Sequence, residues 1–125
     1  MYRVLIVGIG GFIGSSLRYL ISIASNKFLN NPIPYGTLIV NVTGGLLIGL
    51  IMEASISTNL IPSNLRLFLT TGILGGLTTF STFSYETMSM FINGSYTLAL
   101  INTFSNLLFS FLGVWIGRFI IQFII

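Results

Sequence analysis

Cysteine and histidine are both absent from the 125 residues. Without cysteine the chain forms no disulfide, runs no thiolate chemistry and offers no sulfur to a metal. Without histidine, general acid or base work falls to a tyrosine or a carboxylate, and Glu53 and Glu86 are the only two acidic residues. Charge as a whole is scarce. Arg3, Arg18, Lys27, Arg66 and Arg118 complete a charged set that makes up 6% of the chain, against about 25% in an ordinary soluble domain. That composition excludes a water-soluble enzyme, and five scattered basic residues make no patch for nucleic acid.

What fills the space between the charges is apolar. Uncharged runs extend over Phe28–Met52, Leu67–Tyr85 and Thr87–Gly117. A bilayer core of about 30 Å is crossed by roughly 20 apolar residues in helical form, so each run holds one span. A fourth lies at Val4–Ala24, which is too long for the apolar region of a cleavable leader and continues into Arg18 and Tyr19. The fold class is therefore an all-α integral membrane protein, one transmembrane domain over residues 1–125. Its helices are expected at about 4–24, 36–55, 65–91 and 96–125. The polar stretches "SNKFLNNPIPY" (25–35), "ISTNLIPSN" (56–64) and "INGS" (92–95) are the loops.

The opening "VLIVGIGGFIGSSLRYL" has the look of a dinucleotide-binding turn. Such a site needs alternating strands and an acidic residue about 20 positions downstream to hold a ribose. Residues 28–34 read "FLNNPIP" and contain no acid, so no nucleotide is expected. Gly10 with Gly14, Gly11 with Ser15, and Gly45 with Gly49 are instead small residues four apart, the spacing that lets membrane helices approach closely.

Four spans put both termini on one side, with Arg3, Arg66 and Arg118; Lys27 and Arg18 lie toward the other. Three basic residues against two hardly bias orientation. The chain is thus expected to insert both ways up, and two opposed copies can pair about a twofold axis in the membrane plane, with sites near the midplane.

The polar residues inside the spans carry the functional signal. Thr37, Asn41, Gly45 and Gly49 share one face of the second helix. An amide in hydrocarbon needs partners, and both an interhelical hydrogen bond and a place on a polar pathway are open to Asn41. Asn102, Asn106 and Ser110 make a stripe about 12 Å long on the fourth helix, flanked by Thr103 and Ser105. A stripe of that length suggests a track. In the third span, "GGLTTFSTFSYE" sets Gly75 and Gly76 beside the hydroxyls of Thr78, Thr79, Ser81, Thr82 and Ser84. Poor helix propensity and competing side-chain hydrogen bonds predict a break at 75–79. Irregular backbone at that depth is tolerated where it is buried in protein or lines a cavity, and its freed carbonyls suit a hard cation. Phe80 and Phe83 lie three apart beside the break. Their rings have positive edges, which with amides and hydroxyls can hold a small anion without a full positive charge.

"GGFIGSSLRY", "GTLIVNVTGGLLIG" and "GILGGLTTFSTFSYE" together resemble the three signature segments of the CrcB/Fluc family of fluoride channels, in the same order and across essentially the whole chain. The resemblance implies a dual-topology antiparallel homodimer in the lipid bilayer of the cell (inner) membrane, with two fluoride pores and a structural sodium ion at its centre. By match to the motif, the sodium would be held by backbone carbonyls of Gly75 and Thr78, and Asn41, Phe80, Phe83, Ser81 and Thr82 would line the fluoride path. Thr37 and Ser110 extend the path along their helix faces. Glu86 matches an acidic position near the pore end, and Arg18 matches a basic position at an aqueous vestibule or snorkelling anchor. The family commonly has a tyrosine and, four residues on, a serine where this chain has Asn102 and Asn106.

The activity so implied is passive export of fluoride from the cytoplasm, with no catalysis. Two other readings stand beside it: a small multidrug-type four-helix exporter, which would need a carboxylate that the first span lacks, and a purely structural membrane subunit.

Overall fold

The computed structural model describes residues 1–29 and 32–125, and the regular structure among them is helical throughout. In chain order the elements are α1 (Tyr2–Leu29), α2 (Tyr35–Thr58), α3 (Ser63–Leu67), a π-helical stretch (Phe68–Leu74), α4 (Gly75–Leu77), α5 (Phe80–Ile92) and α6 (Tyr96–Ile124). Among the described residues, four helical stretches are long and apolar enough to cross a membrane: Tyr2–Leu29, Tyr35–Thr58, Ser63–Ile92 and Tyr96–Ile124.

α1 is longer than the apolar pattern predicts. Ser25–Leu29, read from sequence as the start of a loop, is helical. Ser25 is buried, and Lys27 sits in the last turn, where a cation favours the carbonyl end of a helix. The predicted loop residues Asn30 and Asn31 lie outside the described residues. The extension also moves Arg18 away from a helix end: with 28 residues in α1, it stands well within the span. α2 closes on Asn59 in the left-handed region (φ 53°), and the turn before α6 uses Gly94 at φ 77°.

Close glycine contacts set the packing. α2 and α6 run parallel at a constant offset of 65 residues: Asn41 meets Asn106 and Glu53 meets Arg118. At the same offset between them, Gly45 faces the Ser110 backbone and Gly49 faces that of Val114. Gly113 and Gly117 on α6 return the contact against Val42, Leu46 and Leu50. α1 packs in the same way on the third span, Gly10 against Phe68 and Gly72, and Gly14 against Ile73 and Leu77. Gly76 comes down on the Gly11 backbone. The buried core between the pairs is small: Val40, Leu74 and Leu77, backed by Ile21, Leu47, Ile48 and Ile51.

A Cβ at Gly117 would fall 2.3 Å from the Leu46 carbonyl oxygen, and neither backbone can yield easily. Gly117→Ala is therefore expected to destabilise the protein by about 1–3 kcal/mol, as overpacking does. Gly8→Ala, which would meet nothing within 4 Å, is the control and should change stability by less than about 0.5 kcal/mol. Unfolding midpoints in detergent measure both, and equal midpoints would contradict this packing.

At the terminal end of the α2 and α6 pair, buried Glu53 accepts from Arg118 Nε at 2.9 Å and from Gln122 Nε2 at 2.8 Å. Arg66 donates to Ser55 Oγ at 3.2 Å. These ties finish the bundle on the side that carries Arg3 as well.

Candidate functional site: a polar cleft at an extended link

α4 stops at Leu77, and two residues of extended backbone follow: Thr78 (φ −79°, ψ 156°) and Thr79 (φ −152°, ψ 120°). Gly75 and Gly76 remain helical, so the residues that leave the helix are the threonines. Local chemistry favours them. Thr78 ends α4 by sending both its backbone N–H (3.0 Å) and its hydroxyl (2.9 Å) to the Leu74 carbonyl. Thr79 starts α5 as an N-cap, its hydroxyl oxygen accepting from the Thr82 backbone N–H at 3.1 Å.

Asn41 on α2 holds this link with a pair of hydrogen bonds. The Thr79 N–H donates to Asn41 Oδ1 at 2.9 Å, and Asn41 Nδ2 donates to the Thr79 carbonyl at 3.1 Å. In a continuous helix that Thr79 N–H would serve the Gly75 carbonyl. The amide thus replaces backbone partners that an interrupted helix loses, which an apolar surrounding requires. Gly44, one turn along, makes room for the Thr78 methyl: a Cβ there would lie 2.1 Å from Thr78 Cγ2.

Around the link is a cleft of about 360 Å³ whose walls include Asn41, Gly75, Thr78, Thr79, Phe80, Phe83, Asn106 and Ser110. Phe80 and Phe83 stand with ring centroids 5.6 Å apart and planes tilted by 56°. Phe83 is 7% exposed and Phe80 is 74% exposed. Among the described residues the Ser110 hydroxyl has no hydrogen-bond partner, so its O–H is available.

The other residues singled out from sequence lie around this cleft rather than in its wall. Ser81 and Thr82 are at the start of α5, with their hydroxyls against Thr79 Oγ1 at 3.3 and 3.1 Å. Thr37, buried one turn before Asn41, donates to Glu86 Oε1 at 2.8 Å. The second carboxylate oxygen of Glu86 is buried and has no partner among the described residues. Arg18 reaches the Thr78 carbonyl at 3.4 Å from α1, which brings it to the extended link. The α6 stripe divides: Asn106 and Ser110 reach the cleft wall, whereas Asn102 is 1% exposed behind it and donates to Thr87 Oγ1 at 2.9 Å.

Gly44 and Thr87 carry contacts at this site that the sequence did not single out, and Thr79, singled out only among the hydroxyls beside the break, proves to be its N-cap and the partner of Asn41. For Thr79 a signal was present, because a threonine three residues before Thr82 at a helix start fits an N-cap. Gly44 and Thr87 gain their meaning only from residues 34 and 15 positions away, Thr78 and Asn102.

The donor set can also be tested for a cation. Among the described residues no group of three or more carboxylate, imidazole or thiol side chains comes together, so the oxygens on offer are backbone carbonyls, hydroxyls and amides. The Gly75 carbonyl has lost its usual N–H, and the Thr78 carbonyl, outside any helix, has a second lone pair beyond its long contact with Arg18. All-oxygen ligation of this kind fits a hard cation, and two oxygens from one chain are too few for one.

Known proteins are similar to this chain over most of its length. A family profile described as "CrcB-like protein, Camphor Resistance (CrcB)" matches residues 5–118. A protein of Clostridium perfringens called fluoride-specific ion channel FluC is 62% identical over 114 residues, 91% of this chain and 89% of the relative. Proteins of the same name from Clostridium novyi and Geobacter metallireducens are 53% identical over 114 residues and 45% identical over 117, covering 89% and 94% of those relatives.

Proposed function

The chain belongs to the CrcB family and is a multi-pass membrane protein, and from that premise we propose that it is a fluoride-selective channel that lets the anion leave the cytoplasm passively. The observation that carries the reading is the cleft in which Asn41, Ser110 and the rings of Phe80 and Phe83 converge on one extended link. Relatives up to 62% identical carry the fluoride-channel name.

The chemistry follows from those groups. Fluoride is small and tightly hydrated, so a dry passage must offer it aligned donors in place of water. Ser110 offers an O–H, Phe80 and Phe83 offer positive ring edges, and Asn41 fixes the backbone that positions those rings. The line Thr37, Asn41, Gly45 along α2 gives the path its direction, with the Thr37 and Glu86 pair at one end. Transport needs no ATP. Outside an acid-exposed cell fluoride crosses as the neutral acid and ionises within, and the membrane potential then drives the anion out with about 2.3 kcal/mol per 100 mV.

We also propose that the working unit is an antiparallel homodimer with two such paths. The exposed apolar face of α5, with Phe80, Tyr85, Met88 and Ile92 uncovered in the single chain, supports a second copy there. A sodium ion at the twofold, held by the Gly75 and Thr78 carbonyls of both copies, would supply positive charge and pin the link.

Two measurements test this reading. Expression in cells lacking a fluoride exporter is expected to restore growth in fluoride at acid pH, and no rescue at a normal level of membrane protein would contradict it. A C-terminal tag should be reached by an impermeant reagent from both faces of the membrane; reaction from one face alone would contradict dual topology.

A further inference from the structure

Both amide hydrogens of Asn41 are already used within the protein. One goes to the Thr79 carbonyl at 3.1 Å and the other to Asn106 Oδ1 at 3.0 Å. Asn106 in turn spends its amide hydrogens on the Asn102 carbonyl at 3.1 Å and on Asn102 Oδ1 at 3.0 Å. Asn102 donates onward to Thr87 Oγ1 at 2.9 Å. The three side-chain amides therefore run head to tail, from Asn41 through Asn106 to Asn102.

Such a ladder has a polarity, and backbone groups fix it at both ends. An asparagine turned by 180° exchanges its oxygen and nitrogen, but a backbone carbonyl accepts only and an N–H donates only. The Asn102 carbonyl forces the nitrogen of Asn106 toward itself and so leaves Asn106 Oδ1 facing Asn41. At the other end the N–H and carbonyl of Thr79 demand the same orientation of Asn41. The two requirements agree. Asn106 is 4% exposed, and an unpaired buried amide is costly.

We infer that Asn106 is a positioning residue: by anchoring the Asn41 amide to the α6 backbone, it holds the extended link at Thr79, and through it Phe80 and Phe83. The inference rests on the channel reading for its transport consequence alone. Asn102 has a lesser part, because its backbone carbonyl anchors Asn106 whatever its side chain is. That asymmetry separates a ladder from a track in which each asparagine touches the anion, where loss of either would count alike.

The test uses full-length purified protein with Asn106→Leu and Asn102→Leu, read by fluoride efflux from liposomes and by amide hydrogen exchange in detergent. Asn106→Leu is expected to lower efflux and to speed exchange at Thr79 by at least about tenfold each, the effect of losing a bond to a buried partner. Exchange along the glycine contacts of α2 and α6 should not change. Asn102→Leu should move both readouts by less than about threefold, since the backbone anchor survives. Comparable losses for the two variants would overturn the inference, as would lost efflux with Thr79 exchange unchanged. If Asn106→Leu fails to fold, Asn106→Ala, which offers neither Asn41 nor Asn102 a hydrogen-bonding group, carries the same expectations. Absence of fluoride efflux in the unaltered protein would instead contradict the channel reading, and the exchange measurement would still decide the ladder.

Discussion

Asn41→Asp is expected to lower fluoride efflux from liposomes by at least about a hundredfold, some 2.7 kcal/mol at 1.36 kcal/mol per decade. The carboxylate keeps the bond from the Thr79 N–H at 2.9 Å but loses both donated bonds, to the Thr79 carbonyl and to Asn106 Oδ1. Two acceptors then face a third acceptor, and each bond lost to a buried partner costs about 1–3 kcal/mol. The charge adds to this, because an ionised carboxylate beside the cleft repels the anion it should pass. Asn41→Ala tests the same point without the charge and should lose nearly as much. Efflux within a factor of about three for both variants would separate Asn41 from the path.

Phe80→Leu has the second largest expected effect, and it isolates the ring from the core. Phe80 is 74% exposed in the single chain, so leucine in its place should leave the protomer about as stable, within roughly 0.5 kcal/mol. What it removes is the positive ring edge beside Phe83, whose centroid lies 5.6 Å away. Efflux should fall by about tenfold or more while the unfolding midpoint of the protomer holds. Phe83→Leu is the informative contrast, because Phe83 is 7% exposed and its loss should lower the midpoint as well. Retained efflux in Phe80→Leu would show that the rings pack and do not conduct.

Much of this architecture is written in local composition. Seven charges in 125 residues set the spans, and period-four spacing puts Thr37, Asn41 and Gly45 on one face. The end of α1 is less legible: "SNK" is loop-like in composition, yet Ser25 is buried and Lys27 lies in the last turn of a helix that continues to Leu29. The contact of Arg18 with the Thr78 carbonyl, 60 residues away, has no local signature either. The stripe of Asn102, Asn106 and Ser110 was visible as a stripe, but its division was not. Which asparagine reaches the cleft depends on the offset of 65 residues between α2 and α6, and that offset is set by glycines meeting backbone at Ser110 and Val114. Likewise, a side-chain amide that stands in for a helix's own carbonyl, as Asn41 does for Thr79, is a contact across 38 residues with no local signature.

The most direct measurement of the central claim is ion efflux from liposomes loaded with equal fluoride and chloride, carrying the purified protein and a potassium ionophore to hold the voltage. The account predicts rapid release of fluoride, with chloride retained as in protein-free liposomes. Release of both ions alike, or of neither, would contradict it.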